Sequence, residues 1–323
     1  MVQVVEYIWL DAEGMPRSKT RVIPDGEEPG RWNYDGSSTG QARTANSEIG
    51  LLPVASWLWG EKRLALCDLL DSSGNRMATS DRLAAERNFA ALPEGTDPWF
   101  GLEQEYYMMD AATGLPLGFT GQPQGEFYCG TNRGRALAEE HLSACLAMGL
   151  TMSGLNSEVG PAQWEFQIGP VHGVAAADQL IVARWLLIRL AERHGIRISF
   201  HPKPLPGYNG SGCHTNVSTA ATRTINSARA GTLAIERILR RLRDGHAELM
   251  ASGAYGADNH LRLIGTHETS ALDRFSWGVG DRSASVRVGR EVWVAGGGYF
   301  EDRRPAANMN PYRVLGALAS CLA

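Results

Sequence analysis

A segment with two closely spaced glutamates, residues 101–106, constrains the fold of this chain most strongly. It reads Gly-Leu-Glu-Gln-Glu-Tyr, and apolar residues and a turn sequence follow it, which is typical of a β-strand. Side chains two positions apart in a strand share a face, roughly 7 Å apart along the strand, so Glu103 and Glu105 are predicted to be neighbours. Such carboxylates raise each other's pKa unless cations neutralise them. The two glutamates could bind cations, or they could simply lie on a solvated sheet edge. Motifs elsewhere in the chain distinguish these two interpretations.

The composition excludes several classes of function. The chain has 323 residues, of which 43 % are hydrophobic, and this is enough for one large domain or two unequal ones. Its formal net charge of −4 does not suggest a nucleic-acid partner. The chain has three lysines, Lys19, Lys62 and Lys203, and none stands in a Gly-Lys-Ser/Thr sequence. A Walker-type phosphate loop is therefore excluded, and arginine is expected to bind any phosphate.

Cysteine usage and hydropathy predict a cytoplasmic protein. The five cysteines form no Cys-x-x-Cys pair, which argues against a disulfide framework or a zinc ribbon and for a reducing compartment. Strand-like alternation begins directly after Met1, so no signal peptide is expected. The most apolar run, 179–190, contains Arg184 and Arg189 and is too short to span a bilayer, so no membrane partner is expected.

Residue periodicity predicts a small β module followed by a mixed region. Alternation over 3–10 and 17–23 around a turn predicts a hairpin, and 63–70 predicts a further strand, so a module of three or so strands should end near residue 75. Helices are predicted over 81–92, 135–148, 178–194 and 226–244. Strands with one polar face are predicted over 163–168, 214–218 and 283–288.

Six residues that could bind metal lie on these strands or at their ends. Five are carboxylates and one is an imidazole, a donor set suited to two or more hard divalent cations, Mg²⁺ or Mn²⁺. They are Glu103, Glu105, Glu158, Glu165, His214 and Glu301. The pattern does not show that the six converge. His214 could be a core histidine, and Glu158 could be an ordinary loop acid.

Four arginines form a second candidate set. They are Arg262, Arg282, Arg287 and Arg303. Each could simply pair with a carboxylate for stability. A metal cluster together with several arginines, however, is what phosphoryl transfer from a nucleotide requires, because that catalysis depends on positioning and on neutralising charge.

Taken together, these motifs resemble the glutamine synthetase family, in particular its type II, eukaryotic-like group. The matching motifs follow one another in order from residue 6 to about residue 312. They are 6–9, 32–39, 98–106, 161–170, 202–204, 212–216, 267–269, 282–285 and 299–305. Their joint occurrence over nearly the whole chain makes the resemblance highly specific.

The resemblance implies a fold and an assembly. The fold would be α+β, with a small N-terminal β-grasp domain over 1–75 and a catalytic domain over 81–323 whose curved antiparallel sheet is flanked by helices. The family's type II members are decamers of two stacked pentameric rings with active sites between subunits. Two or three Mg²⁺ or Mn²⁺ ions per site are implied, one of them held by Glu105, Glu158 and Glu165 and a second by Glu103, His214 and Glu301.

The resemblance also implies a reaction. The γ-phosphoryl group of ATP would move to the side-chain carboxylate of glutamate, and ammonia would then displace phosphate to give glutamine. The implied ATP-binding residues are Arg282, Arg287, Asn216, Ser218 and Tyr299. Glutamate and the developing phosphate would be held by Arg262 and Arg303, with Tyr208, Asn209 and Gly210 forming a substrate loop. Asp35 would take the proton of ammonium in a pocket completed by Ser38, Tyr128 and Glu268, and Glu268 would also belong to a flap that excludes water.

The sequence departs from the family pattern near these pockets. Segments 118–124 and 130–140 and both termini are short, and the loop 206–210 lacks one residue and has Tyr208 where tryptophan is usual. Gly160 stands where methionine is expected, and 288–290 lacks the usual proline. A specialised carboxylate–amine ligase for another acid or amine therefore stays open as an alternative, and a structural relative without catalysis is a third. The anionic ammonium pocket favours ammonia.

Overall fold

Two β-sheets, of five and eight strands, organise the chain. The structure is a computed structural model that describes residues 1–266 and 268–322. His267, which belongs to one of the matching motifs, and Ala323, the last residue of the expected catalytic domain, lie outside the described residues. The sheets are combined with α-helices, which confirms the predicted α+β class.

The first sheet is built from the N-terminal part of the chain. Its strand order is β2-β1-β5-β4-β3, and the strands are β1 (Val2–Leu10), β2 (Pro16–Pro24), β3 (Trp32–Asp35), β4 (Glu48–Trp59) and β5 (Lys62–Leu70). The predicted hairpin is confirmed, since β1 and β2 pair antiparallel from Val2 opposite Pro24 onward. The predicted number of three or so strands was wrong. The long strand β4 was missed because Gly50 and Pro53, with a register shift at Pro53, interrupt its pattern.

Both faces of the first sheet are covered, because side chains alternate along its strands. From one face, Val5, Tyr7 and Trp9 of β1 enter a separate small core. Ile8 points the other way and joins Leu64 in the main core. The proposed boundary between residues 75 and 81 falls in the connection from β5 to the first helix.

The second sheet carries five of the six predicted metal-binding residues. Its strands are β6 (Trp99–Asp110), β7 (Met152–Ser157), β8 (Gln163–His172), β9 (Ile196–Ser199), β10 (Cys213–Ser218), β11 (Trp277–Val279), β12 (Val286–Val288) and β13 (Phe300–Asp302). The order is β11-β12-β13-β10-β6-β8-β7, and β9 pairs with β6. Strand β12 is shorter than predicted, because Asp281 accepts hydrogen bonds from the backbone and hydroxyl of Ser283 and so forms a turn there.

The helices pack around the second sheet. They are α1 (Asp81–Ala90), α2 (Arg135–Ala147), α3 (Ala175–Arg193), α4 (Ala230–Asp244), α5 (His246–Ala251), α6 (Arg290–Ala295) and α7 (Pro311–Leu322). Ser80 caps α1 by accepting a hydrogen bond from the Leu83 backbone. Helix α4 starts four residues later than predicted, at Ala230 rather than 226, because Arg229 before it has a left-handed backbone. Among the described residues, no helix has the length and hydropathy that a membrane span needs.

A buried arginine ties helix α3 to the back of the central strand β6. The Nε atom of Arg184 donates to Oε1 of Gln104 at 2.7 Å, and its two Nη atoms donate to the carbonyls of Met309 at 2.8 Å and Ala307 at 2.9 Å. Gln104 alternates with Glu103 and Glu105, so its side chain lies on the opposite face of the sheet from theirs. Arg184 thereby fixes the strand that carries both glutamates.

We expect Arg184→Met to lower the free energy of unfolding by about 3 kcal/mol, because it removes the donor to the buried Oε1 of Gln104 and to the carbonyl of Met309. Chemical denaturation measures this change. The matched control is Arg189→Met on the same helix, where the side chain is 43 % exposed and a change within about 0.5 kcal/mol is expected. Equal effects of the two substitutions would contradict this role of Arg184.

Candidate active site

One cavity on the front face of the second sheet brings most of the predicted site residues together. Its volume is about 200 Å³, and we call it the carboxylate cavity. All six predicted metal-binding residues line it, and so do all four candidate arginines. The predicted substrate residues on its wall are Tyr128, Asn209, Gly210 and Glu268. The convergence that the sequence left open is therefore present in the fold.

Antiparallel pairing brings the acids together. Glu105 on β6 lies directly opposite Glu165 on β8, and Glu103 lies opposite His214 on β10. Glu301 on β13 pairs in turn with Asn216 on β10. Directly opposite side chains in antiparallel strands are about 4.5–5.5 Å apart at Cβ, so this register alone brings donors from distant parts of the chain into one cluster.

The donor atoms form two overlapping groups. Those of Glu105, Glu158 and Glu165 lie within 4.8 Å of one another, and so do those of Glu103, Glu165 and His214. The first group has the composition expected for one cation. The second contains Glu165 where Glu301 was expected. Oε1 of Glu301 lies 3.4 Å from Nδ1 of His214, so Glu301 borders this group and its part in metal binding stays a prediction.

Burial and mutual repulsion perturb the carboxylates. Burial and then the nearby Glu158 raise the pKa of Glu105 to about 8. Burial, followed by repulsion from Glu103, Glu105 and Glu158, raises the pKa of Glu165 well above its usual range. Burial also raises the pKa of Glu158 and lowers that of His214, where the charge of Arg303 contributes further. Such a cluster holds protons that a divalent cation would replace.

Neighbouring groups orient each carboxylate. Amide nitrogens of Asn216, Asn156 and Gln167 donate to Glu103, Glu158 and Glu165 at 2.8, 2.8 and 2.6 Å. The backbone nitrogen of Gly212 donates to Oε2 of Glu105 at 2.8 Å. Outer hydrogen bonds of this kind fix metal-binding carboxylates in position. The oxygen-rich donor set and its outer hydrogen bonds fit a hard divalent cation such as Mg²⁺ or Mn²⁺.

The arginine side of the cavity offers donors for an anion. Nη1 of Arg303 and Nη1 of Arg287 donate to the carboxylate of Glu301 at 2.6 and 3.0 Å. The Nε atoms of both arginines are buried and have no hydrogen-bond partner among the described residues. Arg262 is buried, and this burial lowers its pKa to about 10. Buried arginine donors without a partner are suited to bind phosphate or carboxylate oxygens.

A loop around Glu268 covers one side of the cavity. The carboxylate of Glu268 lies 3.8 Å from Nη1 of Arg282. The guanidinium carbon of Arg282 lies 5.7 Å from the centre of the Tyr128 ring. The backbone carbonyl of Glu268 accepts a hydrogen bond from Arg303 at 3.1 Å. Glu268 has a φ of 62°, a left-handed conformation that is costly for a glutamate and persists only where the surrounding structure stabilises it.

Two predicted residues, Asp35 and Ser38, lie away from the carboxylate cavity. Asp35 is exposed at the end of β3, where it caps the short 3₁₀ helix Gly36–Thr39. It accepts hydrogen bonds from the backbone and hydroxyl of Ser37 at 2.9 and 2.7 Å and from the Ser38 hydroxyl at 3.2 Å. The hydrogen bonds from Ser37 lower the pKa of Asp35, which therefore remains an anion.

Tyr208 also lies outside the lining of the cavity. Its hydroxyl donates to the carbonyl of Gln122 at 2.8 Å, and its ring packs edge-on against Phe119. It therefore supports the loop that carries Asn209 and Gly210 from behind. Segment 118–124 supplies both the ring of Phe119 and the carbonyl of Gln122 that contact Tyr208.

The predicted nucleotide residues Asn216, Ser218 and Tyr299 line a second cavity of about 550 Å³. It shares Glu103 and Gln167 with the carboxylate cavity. We call it the adjacent cavity. An elongated ligand bound there could therefore reach the carboxylates.

Sequence reasoning missed several residues of both cavities. Gln163 and Gln167 share a face of β8 with Glu165, so the alternation of that strand could have identified them. Trp99 lines the adjacent cavity with 37 % of its surface exposed. The predicted strand began at Gly101, so its pattern contained no signal for Trp99.

Comparison with known proteins gives a consistent result. Residues 79–322 match the family model "Glutamine synthetase, catalytic domain". The chain is 46 % identical to a glutamine synthetase of Schizosaccharomyces pombe, over 99 % of this chain and 91 % of the relative. It is 43 % identical to a glutamine synthetase cytosolic isozyme of Arabidopsis thaliana, over 98 % of this chain and 93 % of the relative. A solved structure, "Apo GmaS without ligand", has the same fold, with a TM-score of 0.79 at 21 % identity over 99 % of this chain and 77 % of the other.

Glu165 belongs to both donor groups, so Glu165→Gln should separate repulsion from metal binding. Without divalent cations the variant should melt at or above the temperature of the unmodified protein, because glutamine removes the cost of either ionising or protonating a buried carboxyl group whose pKa is raised. MgCl₂ should stabilise the unmodified protein by about 3 kcal/mol at roughly 100 times the Kd, and should stabilise the variant far less. Thermal unfolding with EDTA or MgCl₂ measures both effects.

The control is Glu61→Gln, which neutralises an exposed acid in the turn between β4 and β5. Its stabilisation by MgCl₂ should equal that of the unmodified protein. An undiminished MgCl₂ effect in Glu165→Gln would contradict a cation site in this cluster.

Proposed function

The chain belongs to the glutamine synthetase family, and we propose that it is an ATP-dependent glutamate–ammonia ligase of nitrogen metabolism. The observation that carries this proposal is the carboxylate cavity, where acids and a histidine face arginines with unpaired donors. Anionic ATP and anionic glutamate must approach each other in this reaction. A site that holds divalent cations and several arginines can neutralise both.

We propose that Glu105, Glu158 and Glu165 hold one divalent cation and that Glu103, His214 and Glu301 hold a second. The oxygen-rich donor set favours Mg²⁺ or Mn²⁺. Cations bound there would screen the phosphate charges of ATP. Nucleotide binding is assigned to Asn216, Ser218 and Tyr299 in the adjacent cavity, with Arg282 and Arg287 at the phosphates.

The chemistry assigned to the chain's own residues is mainly charge stabilisation. The glutamate side-chain carboxylate attacks the γ-phosphorus of ATP, the bond from that phosphorus to the bridging oxygen breaks, and ADP leaves. Ammonia then attacks the acyl carbon, and phosphate leaves. Arg303 is assigned to stabilise the phosphoryl group, and Arg262 is assigned to bind the amino-acid substrate beside Asn209 and Gly210.

The nitrogen substrate arrives as ammonium and has to lose a proton before it attacks. Asp35, Ser38, Tyr128 and Glu268 are assigned to its pocket. Asp35 lies away from the cavity of its own chain, which supports a homo-oligomer in which Asp35 of one subunit reaches the cavity of a neighbour. We propose the decamer of two pentameric rings.

Five free cysteines and the cytosolic plant relative support a cytoplasmic location.

Phosphate release from ATP with glutamate and MgCl₂ should depend on added ammonium, because ammonia is the group that displaces phosphate from the acyl phosphate in the proposed reaction. A coupled assay for phosphate and a direct assay for glutamine measure this.

The short segment 118–124 behind Tyr208 favours a second candidate, a ligase for another acid or amine. Faster turnover with such a substrate, or phosphate release that is independent of ammonium, would contradict the leading proposal.

We expect Asp35→Ala to slow glutamine formation by roughly 100-fold, the usual contribution of a proton acceptor, while ATP and glutamate still bind. Mixed oligomers of Asp35→Ala and Glu165→Gln subunits should regain activity, because one subunit supplies Asp35 and the other supplies an intact cavity. Asp25→Ala, at an exposed position after β2, is the control and should leave turnover unchanged. Full activity of Asp35→Ala would refute the assigned role.

A further inference from the structure

The sheet face that carries the acids continues past them to a tyrosine and a glutamine. Tyr107 follows Glu105 by two positions on β6, and Gln163 precedes Glu165 by two positions on β8, so both point toward the same side as the carboxylates. Tyr107 and Gln163 are themselves a directly opposed pair. Both side chains are almost completely buried, with 0 % and 1 % of their surfaces exposed.

These two side chains hold consecutive carbonyls of the loop on the cavity wall. The hydroxyl of Tyr107 donates to the carbonyl of Asn209 at 3.1 Å. Nε2 of Gln163 donates to the carbonyl of Gly210 at 3.0 Å. The ammonium group of Lys203 binds the carbonyl of Tyr208, one residue earlier. Three successive carbonyls of this loop are therefore fixed by buried or half-buried donors.

Gly160 makes this arrangement possible. A Cβ atom at residue 160 would lie 2.2 Å from the hydroxyl oxygen of Tyr107 and 2.7 Å from Oε1 of Gln163. The backbone nitrogen of Gly160 instead donates to that same Oε1 at 2.9 Å, which leaves Nε2 of Gln163 directed at Gly210. The backbone of Gly160 is not in the left-handed region. The glycine is thus required for space and not for its conformational freedom.

The loop is also fixed from the cavity side, at Gly210. A Cβ atom at this position would lie 2.3 Å from the carbonyl of Pro202 and 2.8 Å from Cγ of Arg262. Gly210 is therefore held between the side chain of Arg262 and the donor from Gln163. A small displacement of the loop would change the position of Arg262, which lines the same cavity.

We infer that Tyr107 is a positioning residue for the amino-acid substrate, acting with Gln163 and Gly160 to set the place of the Asn209–Gly210 backbone in the cavity wall. This inference rests on the proposed function, in which that loop binds an amino acid with a side-chain carboxylate. Tyr107 does not touch the reacting atoms. It acts through the loop, so its removal weakens binding of the acid and leaves ATP binding and the chemical step largely unchanged.

The test is Tyr107→Phe in the full-length enzyme, because it removes one hydroxyl and keeps the packing of the ring. We expect the KM for glutamate to rise by about 10-fold, the effect of one lost hydrogen bond to a buried carbonyl. The kcat and the KM for ATP should stay within about twofold, which is the signature of lost ground-state binding. A substitution that merely loosened the fold would change all three constants together.

Tyr106→Phe is the matched control. Tyr106 is the neighbouring residue on β6 and is equally buried, but its hydroxyl has no hydrogen-bond partner among the described residues. Its KM for glutamate should be unchanged. Gly160→Ala should raise the KM for glutamate as Tyr107→Phe does, because the added methyl displaces the Tyr107 hydroxyl. Gly30→Ala, where nothing lies within 4 Å of the added Cβ, should not.

The possible outcomes are distinguishable. A KM for glutamate in Tyr107→Phe equal to that in Tyr106→Phe overturns the inference and leaves the proposed function intact. A parallel change of kcat and both KM values also overturns it. Absence of glutamate-dependent turnover in the unmodified enzyme overturns the proposed function itself and, with it, the assignment of this loop to glutamate. If Gly160→Ala does not fold, the KM for glutamate of Tyr107→Phe compared with that of Tyr106→Phe still tests the inference.

Discussion

Repulsion among buried carboxylates on one face of a sheet is the constraint on which the rest of the structure depends. Burying anions is costly unless they are paired or coordinated. The surrounding chain meets this requirement with oriented amide donors such as Asn216 and Gln167 and with arginines such as Arg287 and Arg303. The cluster nevertheless keeps raised pKa values at Glu105 and Glu165. It is therefore incomplete without additional positive charge.

The two faces of strand β6 carry opposite chemistry within a few ångströms. Glu103 and Glu105 point into the cavity, and Tyr107 on the same face lies beneath the loop of its wall. Gln104 points to the buried guanidinium of Arg184 behind the sheet. Simple alternation of a pleated strand produces this separation. Arg184 also binds carbonyls that follow β13 in the chain, so one cation fixes the central strand and the segment beyond Glu301 at once.

The parts of the fold that depend on local pattern were predicted well. The shared face of Glu103 and Glu105 follows from a period of two, and the hairpin of β1 and β2 follows from alternation around a turn. Register between strands far apart in the chain is not encoded locally, so the overlap of both donor groups at Glu165 could not be predicted. The close packing of Gly160 against Tyr107 likewise depends on how the folded chain brings two distant segments together, so it could be seen only in the three-dimensional structure.

The alternation along β6 also limits how the gene for such a chain can change in length. Insertion or deletion of one codon between Gly101 and Glu103 would exchange the faces, directing Gln104 into the cavity and both glutamates toward the apolar interior and Arg184. A point substitution changes one side chain of the strand, whereas such a change in length moves every side chain beyond it to the opposite face. Segment 118–124 lies outside every described strand and helix, so it can vary in length without this penalty. That segment is one of those predicted from the sequence to be shorter than in the family.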